Sequence, residues 1–381
     1  MDLRYGSADE NVRKRSIQDI ILHERQRFEK ETLKNTEVPE CGFKSGRESD
    51  FESFETEPFL LCPPRAGELA VISAVNRLAA RGIRARGFSP VILLPSGTQE
   101  DALRELMAQI SRAAFADGIE TGEVSVRVTD AVTRPIVIGT VSGEKFIQDR
   151  WESPADRSAS DYSANDQSVN NCPASNHSAN NRSASDHSAN DRSSCDIVLA
   201  GPVGMEGTYI LVSEQFELLQ KRFPMSILMR MKGLGRELSV LRAAEAAMSS
   251  SVSAMVSPGE GGFFAGLWEL CRKTGCGLDI DLQAVPLLQE TVEITDFFGI
   301  NPYAMRSAGC LLIASGNAEK TILCLQEQGR TAVRIGKLTG NKEKIIRNGE
   351  EIRYLDRPQT DALTQWCKDQ EKGRRQDRPD P

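Results

Sequence analysis

The stretch "SPGEGGFFAGLWELCRKTGCGLDI", residues 257 to 280, sets Gly259, Gly261 and Gly262 around Glu260, directly before an amphipathic segment. Backbone N–H groups at a helix N-terminus, approached closely where the chain is glycine, bind phosphate oxygens. Glycine there serves a tight turn and close helix packing equally well, and a glutamate beside a helix start also complements the helix dipole. On the residues alone both readings stand. A second glycine-rich turn, "GPVGMEGT", places Gly204, Glu206, Gly207 and Thr208 between a strand and a helix, with Thr208 as a candidate cap. Asp279 and Asp281 alternate in a strand-like run, so their carboxylates share a side. They read as a solvent-facing ladder or as an acid–base pair.

Other chemistries lack material. Only His23, His177 and His187 are present, two of them in a low-complexity tract, which leaves no Ser-His-Asp triad and no His-based metal site. Nine cysteines without a C-x-x-C pair fit reduced thiols, with Cys271 and Cys276 at buried helix and turn positions. Catalysis falls to carboxylates, backbone amides, Lys or Arg. A net charge of −7 argues against a nucleic-acid partner. The first thirty residues carry no apolar core of a leader, and no later run reaches a membrane span, so no membrane association and a cytoplasmic location are expected.

These residues need elements to hold them, and 381 residues exceed one ordinary core. The chain divides into a charged lead-in (1–57), a first domain (58–152), an insert (153–195), a second domain (196–358) and a charged tail (359–381). The lead-in is expected to form a helix from about Val12 to Leu33 and to attach loosely, and the tail to fray. In the first domain "PFLLCPP" and "FSPVILLP" read as strands. "AGELAVISAVNRLAARG" and "TQEDALRELMAQISRAAFADG" read as helices, the latter capped by Thr98 and stopped at Gly118. The insert is a five-residue repeat of Ser, Asn, Asp and Ala that offers no inward apolar position, so disorder is its expected state. The second domain continues with the strand of "CDIVLA", helices through "RELSVLRAAEAAMSS" and "PLLQETVEITDFFGI", the strand "GCLLIAS", the helix "AEKTILCLQEQG" and the strand "TAVRIGKLTG". The fold class is α/β, with an α+β first domain.

Three passages together carry a family resemblance: residues 68 to 114, "DIVLAGPVGMEGTYIL", and "PGEGGFFAGLWELCRKTGCGLDIDLQAVPLLQETVEITDFFGINPYAMRSAGCLLIAS". They resemble the aminoimidazole ribonucleotide (AIR) synthetase superfamily, in particular its hydrogenase maturation factors that make the cyanide ligand and the AIR synthase-related proteins. The resemblance covers roughly 58 to 150 and 195 to 358. It implies a two-domain fold and a homodimer formed through the first domain. It also implies ATP and Mg²⁺ in a cleft, and transfer of the γ-phosphate to an oxygen of a small-molecule substrate or of a maturation partner protein. The phosphate side would comprise Gly259, Glu260, Gly261, Gly262, Gly204, Glu206, Gly207 and Thr208, with Asn76 toward the nucleotide.

The departures fall on the acidic set. Where the family has Asn-Asp, this chain has Asn76-Arg77, and a guanidinium cannot ligate Mg²⁺, which takes oxygen ligands. Glu123 to Arg127 replace Gly-Gly-His-Thr-Glu, Val256-Ser257 replace His-Asp, and Leu61-Cys62 replace Thr-Asp. Asp50 is the nearest stand-in for the early acidic motif. The cysteine that the cyanide-forming members carry at their extreme C-terminus has no counterpart, the last cysteine being Cys367. The expected alternatives are therefore a phosphorylating enzyme and a pseudoenzyme that binds nucleotide or protein as a dimeric scaffold. Arg77, Arg81, Arg84 and Arg86 read as a solvated basic run at a helix end, or as cations that meet an anionic ligand in place of magnesium.

Overall fold

Residues 66–79, AGELAVISAVNRLA, are apolar on most of their circumference, as suits a helix packed on two faces rather than one. The computed structural model describes residues 6–7, 10–34, 53–59, 64–146 and 195–376 and shows that helix between two layers. In chain order the first part comprises β1 (Gly6–Ser7), α1 (Glu10–Arg13), a π-turn (Lys14–Gln18), α2 (Asp19–Lys34), β2 (Ser53–Phe59), α3 (Ala66–Ala79), β3 (Ile83–Leu94), α4 (Glu100–Ala116), β4 (Glu120–Thr121), β5 (Ser125–Val128) and β6 (Ile136–Lys145). Among the described residues its sheet runs β1-β5-β3-β6-β2, with β4 beside β3. One face of that sheet packs on α3, whose Leu69, Ala70, Val71, Ala74, Val75 and Leu78 are fully buried.

The second part comprises β7 (Asp196–Ala200), α5 (Met205–Glu214), α6 (Phe216–Leu219), α7 (Met225–Lys232), α8 (Leu241–Ala247), β8 (Val252–Val256), α9 (Gly262–Thr274), β9 (Gly277–Asp281), α10 (Gln289–Phe298), β10 (Leu311–Ser315), α11 (Ala318–Glu327), β11 (Ala332–Thr339), β12 (Lys344–Asn348), β13 (Glu351–Tyr354) and α12 (Ala362–Gln376). Its sheet runs β13-β12-β9-β11-β7-β10-β8, antiparallel throughout except where β12 meets β9. Alternation along β7 sends Val198 and Ala200 to a core continuous with the first part, and Ile197 and Leu199 to a second core under α9. The mixed α/β class expected from the sequence is the observed one.

Polar contacts fasten the two parts where they meet. Asn76 Nδ2 donates to Leu238 O at 2.8 Å, and Val240 N donates back to Asn76 Oδ1 at 2.8 Å. Tyr209 donates its hydroxyl to Glu68 at 2.9 Å, and Ser239 to Asp117 at 2.8 Å.

Four local expectations are corrected. The lead-in helix is docked, not loose: Val12 and Ile17 are buried, and Arg15 Nη2 and Ser16 Oγ each donate to Glu100 at 2.6 Å. A mostly charged helix holds on by ion pairing where an apolar stripe is short. The strand expected at "PFLLCPP" begins earlier, as β2 (Ser53–Phe59), which shares only Pro58 and Phe59 with that stretch and pairs with β6 along its whole length. Thr98 does not cap α4; its hydroxyl donates to Pro95 O, and Gln99 stands at the N-cap without a side-chain bond. The tail does not fray at once, for Asp361 caps α12, Leu363 is fully buried and Trp366 packs on Phe298 at 5.1 Å. The insert up to residue 194, Asp50, Leu61-Cys62, His177 and His187 lie outside the described residues.

Glu100 yields a pH prediction. Its hydrogen bonds from Arg15 and Ser16 hold the carboxyl down at about 2, against an ordinary 4.5. A depressed carboxyl contributes stability that is full above the unfolded value and is lost as pH falls from about 4.5 toward 2. Glu100→Gln should lower stability at neutral pH and flatten the acid limb. Thermal unfolding of both proteins between pH 7 and pH 3 checks this; parallel curves would refute it.

Candidate functional site

β2 reads S-F-E-T-E-P-F, and the period of two turns Glu55, Glu57 and Phe59 to the α3 side. Arg77 of α3 and Arg81, just past the end of that helix, meet them. Arg77 Nε lies 3.1 Å from Glu55 Oε1 and 3.2 Å from Glu57 Oε2, and Arg81 Nη1 lies 2.8 Å from Glu55 Oε2. Burial raises the Glu57 carboxyl above its usual range, opposed by Arg77 and then Arg306. For Arg77 burial works against the charge, but Glu57 and Glu55 outweigh it and the guanidinium is held more firmly protonated than usual. Arg84 and Arg86 are paired too, with Glu245 and Glu144. The basic run is therefore neither a bare solvated face nor a row of free cations.

This cluster forms one wall of a cleft of about 750 Å³. The opposite wall is the end of β8, Ser257 to Glu260, and the Glu269–Lys273 face of α9. Lys273 donates to Met255 O at 3.0 Å and pairs with Glu269 at 3.3 Å. Burial lowers its ammonium below the usual range, partly offset by Glu269. Lys145 and Arg272 also line the cleft and have no carboxylate partner among the described residues.

The opening loop crosses between this cleft and the protein interior. Gly259 and Glu260 face the cleft, and space around a Cβ at 259 is empty within 4 Å. Gly261 and Gly262 adopt φ of +79° and +67°. A Cβ at 262 would lie 2.4 Å from Met305 O and 2.8 Å from Met305 N, both backbone atoms. Two N–H groups of the loop are already used: Gly262 N donates to Gly259 O at 3.1 Å, and Gly261 N to Asp361 Oδ2 at 2.8 Å. Asp361 also accepts from Leu363 N at 3.0 Å. Burial pushes its carboxyl up to about 6, against the Gly261 N–H and the charge of Arg306.

The second glycine motif stands one layer behind the loop. Gly204 N donates to Ser307 Oγ at 3.0 Å and Gly207 N to Arg306 O at 3.0 Å. Thr208 does not cap the helix; its hydroxyl donates to Gly204 O at 2.8 Å and lies 3.0 Å from the Thr291 hydroxyl. Glu206, 1% exposed, accepts from Arg306 Nε at 2.7 Å and from Ala308 N at 3.1 Å. Burial alone would lower the Arg306 guanidinium, but Glu206 overrides it and raises it. Arg306 lies over the Phe59 ring at 4.9 Å and places Nη1 3.9 Å from Glu260. Gly204, Glu206 and Gly207 thus grip residues 306–308, which in turn seat the loop, Thr208 braces the turn against Thr291, and none of the four lines the cleft. Their hydrogen bonds run to groups inside the protein, away from the cleft where the resemblance would put a phosphate.

Asn76 touches the cleft, yet both ends of its amide serve the Leu238 and Val240 backbone. Asp279 pairs with Arg347 at 2.8 Å and Asp281 accepts from Gln283 N, so they form no acid–base pair. Glu55, Glu57, Arg306 and Asp361 were not among the residues singled out from the sequence. The Glu-Thr-Glu alternation was a usable signal for the first two.

The donor set does not fit Mg²⁺. Glu55 and Glu57 already share the Arg77 guanidinium, and no group of three or more His, Cys, Asp or Glu capable of holding a metal occurs among the described residues. No helix among them is long and apolar enough to cross a membrane.

Residues 195–348 match the model of the family "AIR synthase related protein, C-terminal domain". The chain is 24% identical over 306 residues to a hydrogenase expression/formation protein of Methanocaldococcus jannaschii, covering 79% of this chain and 78% of that one. It is likewise 24% identical over 272 residues to carbamoyl dehydratase HypE of Rhodobacter capsulatus, covering 70% of this chain and 68% of that one. The crystal structure of the hydrogenase maturation protein HypE in complex with ATP superposes with a TM-score of 0.63 at 18% identity, over 92% of this chain and 96% of that one. The two sheets and the glycine loop before α9 agree with these matches: residues 195–348 are similar to the AIR synthase related C-terminal domain, and the chain over most of its length is similar to hydrogenase maturation factors.

Proposed function

We propose that this protein binds a nucleotide such as ATP in the cleft without a divalent metal and without transferring its phosphoryl group, as a dimeric scaffold of the hydrogenase-maturation kind. The observation that carries this reading is the Arg77 guanidinium seated between Glu55 and Glu57. Two carboxylates that could have faced a cation from solvent are neutralised from within the fold. Lys145 and Arg272 then supply the charge that meets phosphate oxygens as charge-assisted hydrogen bonds. The cleft volume falls in the range of small-ligand sites. In the same reading the first domain, with β2 at its sheet edge and Phe54 exposed there, carries the dimer contact.

Isothermal titration with ATP, with and without Mg²⁺, tests it, with phosphate release and light-scattering mass measured on the same samples. The expected result is a dimer that binds ATP with an affinity that magnesium does not strengthen, and that releases no phosphate. Magnesium-dependent binding or release would overturn it in favour of the alternative, ATP-dependent phosphorylation of an oxygen on a small substrate or maturation partner protein. That alternative draws on Glu260, whose carboxylate is 59% exposed to the cleft.

A further inference from the structure

Beyond Arg272 the cleft continues. A second cavity of about 700 Å³ runs along the outer face of α9 and shares Arg77, Ala265, Glu269 and Arg272 with the first. Positions 265, 268, 269 and 272 recur at helical spacing and form one stripe of α9. The facing wall is Lys342 and Lys344, at and just before the start of β12. Lys344 Nζ lies 4.3 Å from the centre of the Trp268 ring, while Arg272 and Lys342 have no carboxylate partner among the described residues. The one carboxylate lining this groove among them, Glu269, is held by Lys273 at 3.3 Å.

The chain as a whole carries a net charge of −7, so such a groove concentrates positive potential against the background of the molecule. The cleft already has room for a nucleotide, which leaves the groove for a second ligand. Because the groove is open along its length and combines spaced cations with an indole face, it suits an extended chain. We propose that the groove binds an acidic, extended segment of a partner protein and leads it to the cleft. The proposal rests on the cleft reading only for what happens at its inner end, where Arg272 is shared; Trp268, Lys342 and Lys344 carry the binding itself.

Fluorescence anisotropy of a labelled Glu-rich peptide against the full chain tests it, with a Lys-rich peptide and inorganic triphosphate as comparators. The Glu-rich peptide should bind, the Lys-rich one should not, and added salt should weaken the complex. K342E/K344E should weaken it about tenfold or more, while the ATP titration of the same variant stays unchanged. No binding of the Glu-rich peptide, or binding indifferent to K342E/K344E, would overturn the proposal. So would full displacement by triphosphate when the cleft is saturated with ATP, which would assign the groove to phosphate. Peptide binding that survives in a protein unable to bind ATP would leave the groove standing and remove the cleft reading alone.

Discussion

Replacing Arg306 by methionine is expected to lower the unfolding free energy by about 3–5 kcal/mol, the cost of leaving a buried charge without its partner. The stranded group is Glu206, 1% exposed, whose oxygens otherwise meet Arg306 Nε and Ala308 N. Methionine keeps much of the aliphatic volume beside Phe59, so the loss reports the charge rather than a cavity. The double variant Glu206→Gln/Arg306→Met removes the stranded carboxylate and should recover a large part of the stability. Chemical denaturation of wild type, single and double variants measures the cycle. A single-variant loss below about 1 kcal/mol would mean that the pair is not the buried, water-excluded bridge described.

The glycine loop supplies the second large effect, through a contrast between two positions three residues apart. Gly262→Ala must place a Cβ 2.4 Å from Met305 O on a residue with φ of +67°. Strain and backbone clash together should cost about 3 kcal/mol. Gly259→Ala meets nothing within 4 Å and should change stability by no more than about 0.5 kcal/mol, while crowding any ligand in the cleft. Thermal unfolding and ATP titration of both variants separate the roles. If Gly262→Ala unfolds normally and loses only ligand affinity, its glycine serves a phosphate and not the seat on Met305.

Much of this architecture can be read along the chain. Stretches whose apolar period is local, such as residues 66–79, 100–116 and 262–274, declare themselves as helices, and Gly118 and Gly275 mark two of their ends with positive φ. Contacts closed over long separations are harder to read. β2 hides because its inward face is Glu, Glu and Phe, which signals polarity until Arg77 of α3 and Arg81 just beyond it arrive. The lead-in and the tail look solvated for the same reason: Arg15 meets Glu100 across 85 residues, and Asp361 meets Gly261 across 100. The motif around Glu206 shows how a legible pattern misleads. Its glycines do permit close approach, but what approaches is residues 305–308, and a single sequence does not tell a backbone from a phosphate.

The bond from Gly261 N–H to Asp361 also sets an order of events during synthesis. The carboxylate that holds the loop is made 100 residues after the loop itself. Domains fold from the N-terminal side as they emerge, so the first sheet and the walls from β2 and α3 form while the loop still lacks its anchor. The cleft is therefore completed last, when α12 has been translated and docked through Leu363 and Trp366. A ligand that needs the finished loop would discriminate between nascent and full chains without any separate checkpoint.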